Sequence, residues 1–207
     1  EGKPLNEGIG EVARAGQQFQ YYGSECLRLY GEKIPSTRPG FQVEISREPI
    51  GIIGIISPWN FPIAIPAWKA APAMMCGNAV ILKPASLTIG SAIALTEIIA
   101  KQDIPAGLFN LVLGSGSDIG HKISTHPEIA AITFTGSVEV GKKLYQNSSS
   151  TMKKMQMEMG SKNPLVVMDD ADLKTAITCA VNGAYGGTGQ KCTASSRLIV
   201  HENIYKD

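Results

Sequence analysis

The stretch GGTGQKCTASSR at positions 186–197 sets one cysteine among small and polar residues, a poor setting for a thiol that merely fills a core. Cys192 has three possible roles: packing, metal ligand or nucleophile. Metal binding is disfavoured, because Cys26, Cys76, Cys179 and Cys192 contain no C-x-x-C pair and only His121, His126 and His201 could join them. A disulfide framework does not suit a chain of 207 residues without a secretory context, so reduced thiols are expected. Lys191 next door, and any helix N-terminus built from CTASSR, would favour the reactive thiolate. Taken alone, an isolated cysteine of this kind still reads first as packing.

Other residues carry chemistry of their own. Glu158, in MQMEMG, is a carboxylate between methionines on a strand that reads as mostly buried. Desolvation there would raise its pKa toward the range of a general base, while a structural carboxylate with a cationic partner is the competing account. Asn60 sits in SPWNFP, where Pro58 and Pro62 stiffen the turn and would hold its side chain as an oxyanion donor, or as support for the turn itself. Lys83 ends the apolar run AVILK and precedes Pro84, so its position is set by backbone and suits ribose or phosphate. In LGSGSDIG the glycines at 114, 116 and 120 are one residue too widely spaced for the usual dinucleotide fingerprint. ITFTGSVEVGKKL is stronger: a β-branched run leads through Gly136 and Ser137 into a helical pattern, which offers either a phosphate site or an ordinary N-cap.

The elements that must position these residues are legible in outline. Residues 5–30 read as one amphipathic helix ended by Gly31, and FQVEISREP as a half-exposed strand. From Ile50 onward the runs IGIIGIIS, NAVILKP, LFNLVLG, AAITFTG, MQMEM and NPLVVM alternate with IPAWKAAPAMMC, LTIGSAIALTEIIAKQ, DIGHKISTH and VEVGKKLYQNSS. Such alternation predicts an α/β fold with a doubly wound parallel sheet, whose ligands sit at the carboxyl ends of the strands. Pro58 to Asn60, Lys83, Gly114 and Gly136 to Ser137 all follow strands in this reading.

Bulk properties narrow the partners. Nineteen Lys and Arg against eighteen Asp and Glu give a net charge of +1, so no basic face argues for nucleic acid. Apolar residues make up 43%, but their runs are short and broken by Gly and Pro, which argues against a membrane span. No secretory signal is read at the N-terminus, and a cytoplasmic protein acting on small molecules is expected.

In their order, SPWNFP, LKPAS, FTGSVEVG, MEMGSKNP and GQKCTASSR resemble the NAD(P)-dependent aldehyde dehydrogenase superfamily, and the resemblance runs over essentially the whole chain. The 34-position spacing from Glu158 to Cys192 is similar as well. The resemblance implies that Cys192 is the nucleophile, that Asn60 and the Cys192 backbone N–H hold the oxyanion, and that Glu158 activates the hydrolytic water. It implies a Rossmann-like cofactor part over 1–159, with the opening helix and an oligomerisation-type strand, and the start of a second α/β catalytic domain over 160–207.

Ile56, Ser57, Pro58, Trp59, Lys83, Ala85, Ser86, Gly116, Gly136, Ser137, Val140 and Gly160 become the cofactor-binding residues on this resemblance. Ser86 stands where NAD-preferring members often carry an acid. Its neutrality removes repulsion of a 2′-phosphate, so NADP is the expected cofactor, with NAD tolerated. Phe61, Ile65, Trp68, Lys191 and Thr193 would line the aldehyde site, and GGTGQKCTASSR is most similar to members acting on 2-oxoglutarate or succinate semialdehyde. Family members are more than twice this length, so a fragment of a homodimeric or homotetrameric parent is expected, with no metal. The other readings are a non-catalytic nucleotide-binding piece and a CoA-acylating relative, which does not need Glu158.

Overall fold

The computed structural model of the chain describes residues 1–206. Its centre is a five-stranded, wholly parallel sheet of β3 (Ile52–Ile56), β4 (Ala79–Lys83), β5 (Phe109–Leu111), β6 (Ile129–Gly136) and β7 (Lys154–Met159), in the order β5-β4-β3-β6-β7. From β3 the chain winds outward through β4 to β5, then returns to the other side of β3 as β6. Two crossovers therefore leave β3 in opposite directions, and the reversal opens a crevice at the adjoining carboxyl ends of β3 and β6.

Alternation along the strands divides the core between two faces. Ile53, Ile55, Val80 and Leu82 pack with Ala70 of α2 (Ala64–Met75) and Ala92 of α3 (Ile89–Ala100). On the opposite face Ile56, Ile132 and Phe134 pack with Ile123 of α4 (His121–Thr125) and Leu144 of α5 (Val138–Ser148). β3 and β4 are buried on both sides, which explains their near-continuous Ile, Val and Leu runs. The doubly wound sheet expected from the sequence is thus present.

Several details differ from expectation. The first helix, α1, covers Leu5–Glu25 and tightens into a 3₁₀ turn at Cys26–Arg28; Leu29 (φ −78°, ψ 75°) has left helical space before Gly31 is reached. FQVEISREP contributes only β2 (Gln42–Ile45), which pairs antiparallel with an unforeseen β1 (Glu32–Pro35), and all eight paired residues are exposed rather than alternating. DIGHKISTH starts as a wide turn of π-helix at Gly116–Gly120, capped by the Ser115 hydroxyl, before α4 begins. Two further elements were not foreseen: α6 (Leu173–Tyr185), capped by Asp172, and β9 (Ser195–Val200), which lies parallel to β8 (Asn163–Val167) in a separate two-stranded sheet. No helix among the described residues is long and apolar enough to cross a membrane.

Leu82 is fully buried at the centre of one face. Leu82→Ala is expected to lower unfolding free energy by about 2–5 kcal/mol, read as a shift in the urea midpoint.

Candidate active site

β3 ends at Ile56, and the rigid SPWNFP turn then carries the chain over to α2. The Ser57 N–H donates to the Lys83 carbonyl at 3.1 Å, tying the turn to the end of β4. Asn60, at the top of this turn, donates from Nδ2 to the Gln190 carbonyl at 2.7 Å, two residues before Cys192. Positions 60 and 190 are 130 residues apart in sequence, so this bond is one of the longest-range links in the fold.

Cys192 lies in the connection from α6 to β9, beyond a short 3₁₀ turn at Gly186–Gly189, and no helix starts at it: the residues after it become a strand. No helix N-terminus therefore forms at CTASSR to favour the thiolate, because Ser195–Val200 pair with β8. Asn163, at the start of β8, holds this segment instead, donating to the carbonyls of Cys192 at 2.6 Å and Ala194 at 3.2 Å. Cys192 itself is exposed, as is Thr193, and the half-buried Lys191 points its ammonium to the Glu7 carboxylate at 3.4 Å.

Glu158 is exposed on β7, not buried between methionines. β7 is an edge strand with no strand paired to its outer side among the described residues, so the burial on which the desolvation argument rested is missing. What positions Glu158 is its own strand. Gln156, two residues before and on the same face, donates from Nε2 to Glu158 at 2.8 Å. The Gln156 side-chain oxygen Oε1 accepts in turn from Lys69 Nζ at 2.8 Å and from the Thr133 hydroxyl opposite it on β6, and Lys69 also donates to Thr133 at 2.7 Å. Lys69, Thr133 and Gln156 were missed in the sequence. The two-residue spacing of Gln156 and Glu158 on a strand was the available signal; Lys69 on α2 gave none.

A cavity of about 630 Å³ lies between α2 and the β6–β7 edge. Cys192 and Glu158 both line it, together with Ile65, Trp68, Lys69 and Thr133. Phe61 stacks on Trp68 with ring centroids 6.4 Å apart. Apolar walls, a thiol and a hydrogen-bonded carboxylate thus meet in one space large enough for a small organic molecule.

The other sequence-derived residues lie at or after the carboxyl ends of the sheet strands. Lys83 is only 4% exposed and donates to the Pro84 carbonyl at 2.9 Å; burial pushes its ammonium pKa down. The Ser57 hydroxyl is buried without a hydrogen-bond partner among the described residues. Gly136 ends β6, where a Cβ would come within 2.5 Å of the Phe134 ring, and Ser137 caps α5 by accepting from the Val140 N–H at 3.3 Å. Ala85 is half-buried and Ser86, Gly116, Val140 and Gly160 are exposed, each beside the carboxyl end of a strand. Pro58 and Trp59 are half-buried beneath the turn. A buried cation, an orphaned hydroxyl and a helix N-terminus form a polar cradle suited to the phosphates and hydroxyls of a dinucleotide.

Burial lowers the Lys69 pKa to about 8, the nearby Glu158 charge only partly opposing this. The folded chain therefore releases this proton before the unfolded chain does, so stability gains between about pH 8 and 10.5 as the buried charge is removed. Lys69→Met is expected to lose about 1–3 kcal/mol of that rise relative to the unsubstituted chain, measured as the difference between urea midpoints at pH 7.5 and 10.

The profile described as the aldehyde dehydrogenase family matches residues 1–207. The chain is 46% identical over 205 residues to an alpha-ketoglutaric semialdehyde dehydrogenase of Bacillus subtilis strain 168, covering 99% of this chain and 42% of that protein. It is 38% identical over 205 residues to an NADP(+) succinate-semialdehyde dehydrogenase of Escherichia coli K12, again over 99% of this chain and 42% of the relative. A solved structure of an E. coli NADP-dependent enzyme superposes with a TM-score of 0.96 at 38% identity, covering 99% of this chain and 43% of that one. The chain thus spans a little over two fifths of the length of these relatives. With a profile match from end to end and a shared fold at this identity, the chain belongs to the aldehyde dehydrogenase family.

Proposed function

We propose that the full-length protein oxidises an aldehyde, a short semialdehyde above all, to a carboxylic acid with NADP, NAD being tolerated. The observation that carries this reading is the shared cavity: Cys192 and Glu158 line it together, and Asn60 is bonded to the loop that presents the cysteine.

Cys192 as thiolate attacks the aldehyde carbon and forms a C–S bond, leaving an oxyanion. Asn60 has a second amide proton beside the one given to Gln190, and that proton with the Cys192 N–H holds the oxyanion. When bound, the dinucleotide supplies the nicotinamide that accepts the hydride from this carbon. The resulting thioester is attacked by water as Glu158 takes the water's proton; the acid leaves and the thiolate is restored. Gln156 holds one Glu158 oxygen, which leaves the other free to face water. A CoA-acylating enzyme would need no such base, so the oriented carboxylate favours hydrolysis.

For the dinucleotide, Lys83 and Ser86 at the end of β4 would hold the adenosine ribose, and Ser57, Gly116, Gly136 and the Ser137 cap would hold the phosphates. Ser86 presents no negative charge, and Lys83 is a desolvated cation, so a 2′-phosphate is favoured there. The NADP named for the E. coli relatives agrees with this choice. The semialdehydes named for the relatives support the substrate class, and Phe61, Ile65, Trp68 and Thr193 provide the walls. Lys191 is the cation available to a distal carboxylate, although it shares its charge with Glu7. We place the boundary of the cofactor part after residue 159, where β7 leaves the five-stranded sheet, and read the parent as a cytoplasmic homodimer or homotetramer. Exposed Ile34, Phe41 and Ile45 around β1 and β2 support association.

In the full-length protein, an aldehyde panel with NAD and NADP is expected to show reduction with semialdehydes preferred, and loss of at least about a thousandfold in Cys192→Ala. No aldehyde-dependent reduction of either cofactor would overturn the reading. Glu158→Gln is expected to keep the first turnover while steady-state turnover falls about 10²–10⁴-fold. Lys191→Ala should reduce the preference for charged over uncharged aldehydes; an unchanged preference removes Lys191 from substrate recognition.

A further inference from the structure

α1 lies outside the five-stranded sheet, yet it carries two carboxylates that reach into the site from one helix face. Glu7 and Glu11 are four residues apart and therefore neighbours on the helix surface. Glu11 is 7% exposed, and its Oε1 accepts from the backbone N–H groups of Ile63 at 2.8 Å and Ala64 at 3.0 Å. α2 has no side-chain cap of its own, so a carboxylate from another helix performs that function immediately after the Asn60 turn. The other Glu11 oxygen pairs with Lys3, whose ammonium also donates to the Asn60 carbonyl at 2.7 Å and lies 4.2 Å over the Phe61 ring.

One turn earlier, Glu7 performs the matching task on the nucleophile loop. Its Oε1 accepts from the Gly187 N–H at 2.9 Å and its Oε2 pairs with Lys191 at 3.4 Å. The segment it holds is unusual. Gly187, Thr188 and Gly189 have φ of 62°, 60° and 70°, three successive left-handed residues of which one is not glycine. Such backbone persists only where its surroundings over-determine it. A Cβ on Gly187 would come within 2.6 Å of Lys191 Cε and 3.0 Å of Glu7 Oε2, so helix and loop fit closely at this point.

We propose that α1 is a positioning element for the reaction: Glu11 sets the turn bearing Asn60, and Glu7 sets the strained loop leading to Cys192. One rigid helix thereby fixes the oxyanion donor relative to the nucleophile, while the Asn60 to Gln190 bond closes the triangle. This rests on the roles proposed above for Cys192 and Asn60. Glu7 is the carboxylate to test, being half-exposed, whereas Glu11 is buried and its loss acts on folding as well.

The test is single-turnover NADPH formation in the full-length protein at saturating semialdehyde, with KM and thermal unfolding measured beside it. Glu7→Ala is expected to slow the burst about tenfold or more through misplacement of the thiol, with KM no higher, since Lys191 released from Glu7 is more available to the substrate carboxylate. Glu7→Gln, whose amide oxygen still accepts from Gly187, is expected to recover most of that rate at a similar unfolding temperature. A wild-type burst rate in Glu7→Ala, or a Glu7→Gln variant as slow as Glu7→Ala, overturns the proposal. If Glu7→Ala does not fold, Glu7→Asp, too short to reach Gly187, replaces it with the same two outcomes. Cys192→Ser is the control: if it keeps the burst, the reading of the site itself fails, whatever the Glu7 variants do.

Discussion

The parallel pairing of β3 with β6 is the constraint on which the rest depends. It places Ile56 opposite Phe134, so that the turn leaving β3 and the glycine–serine step leaving β6 emerge side by side. Because β4 and β5 wind away on the other side of β3, the chain reverses direction at that junction. Apolar burial on both faces of β3 fixes the register, since a slip of one residue would exchange Ile53 and Ile55 for Gly54 and Ile56 on the α2 face. The same alternation sends Thr133 of β6 and Gln156 of β7 to the face of α2, where Lys69 meets them. Hydrophobic packing therefore decides where the polar network can form.

On that frame, charged groups take up the tasks for which the local sequence supplies no partner. Lys69 orients Gln156 and through it Glu158, while Glu11 caps α2 and Glu7 holds a left-handed loop. Apart from the Gln156–Glu158 link within β7, these bonds join elements far apart in the chain. A carboxylate accepting backbone N–H groups in partly buried surroundings is a strong restraint, because loss of the acceptor would leave the donors unsatisfied.

How much of this was legible in the sequence follows from the range of the interactions. The strands of the main sheet could be read because their burial on two faces imprints continuous runs such as IGIIGII and AVIL. Asn60, Glu158 and Cys192 could be picked out by residue type and local setting, and gained meaning from their order along the chain. The burial assigned to Glu158 went wrong because alternating methionines mark an apolar face, while whether anything covers that face depends on elements beyond the edge strand. Whether a helix starts at CTASSR could not be read for a similar reason: SSRLIV pairs with β8, and its partner lies more than 30 residues upstream. α6 was within reach, since Asp172 caps it at Thr175, a signal in plain view. Glu7 and Glu11 were not, because an amphipathic helix shows which face is polar but not which distant backbone N–H groups that face will meet.

The central claim is that Cys192 bonds covalently to the carbon being oxidised, and mass spectrometry of trapped enzyme tests it most directly. Full-length Glu158→Gln protein, quenched in acid during turnover with a semialdehyde and NADP, should carry the acyl mass on the peptide containing Cys192. NADPH formation with no acyl adduct, or with the adduct on Cys26, Cys76 or Cys179 instead, would contradict the account.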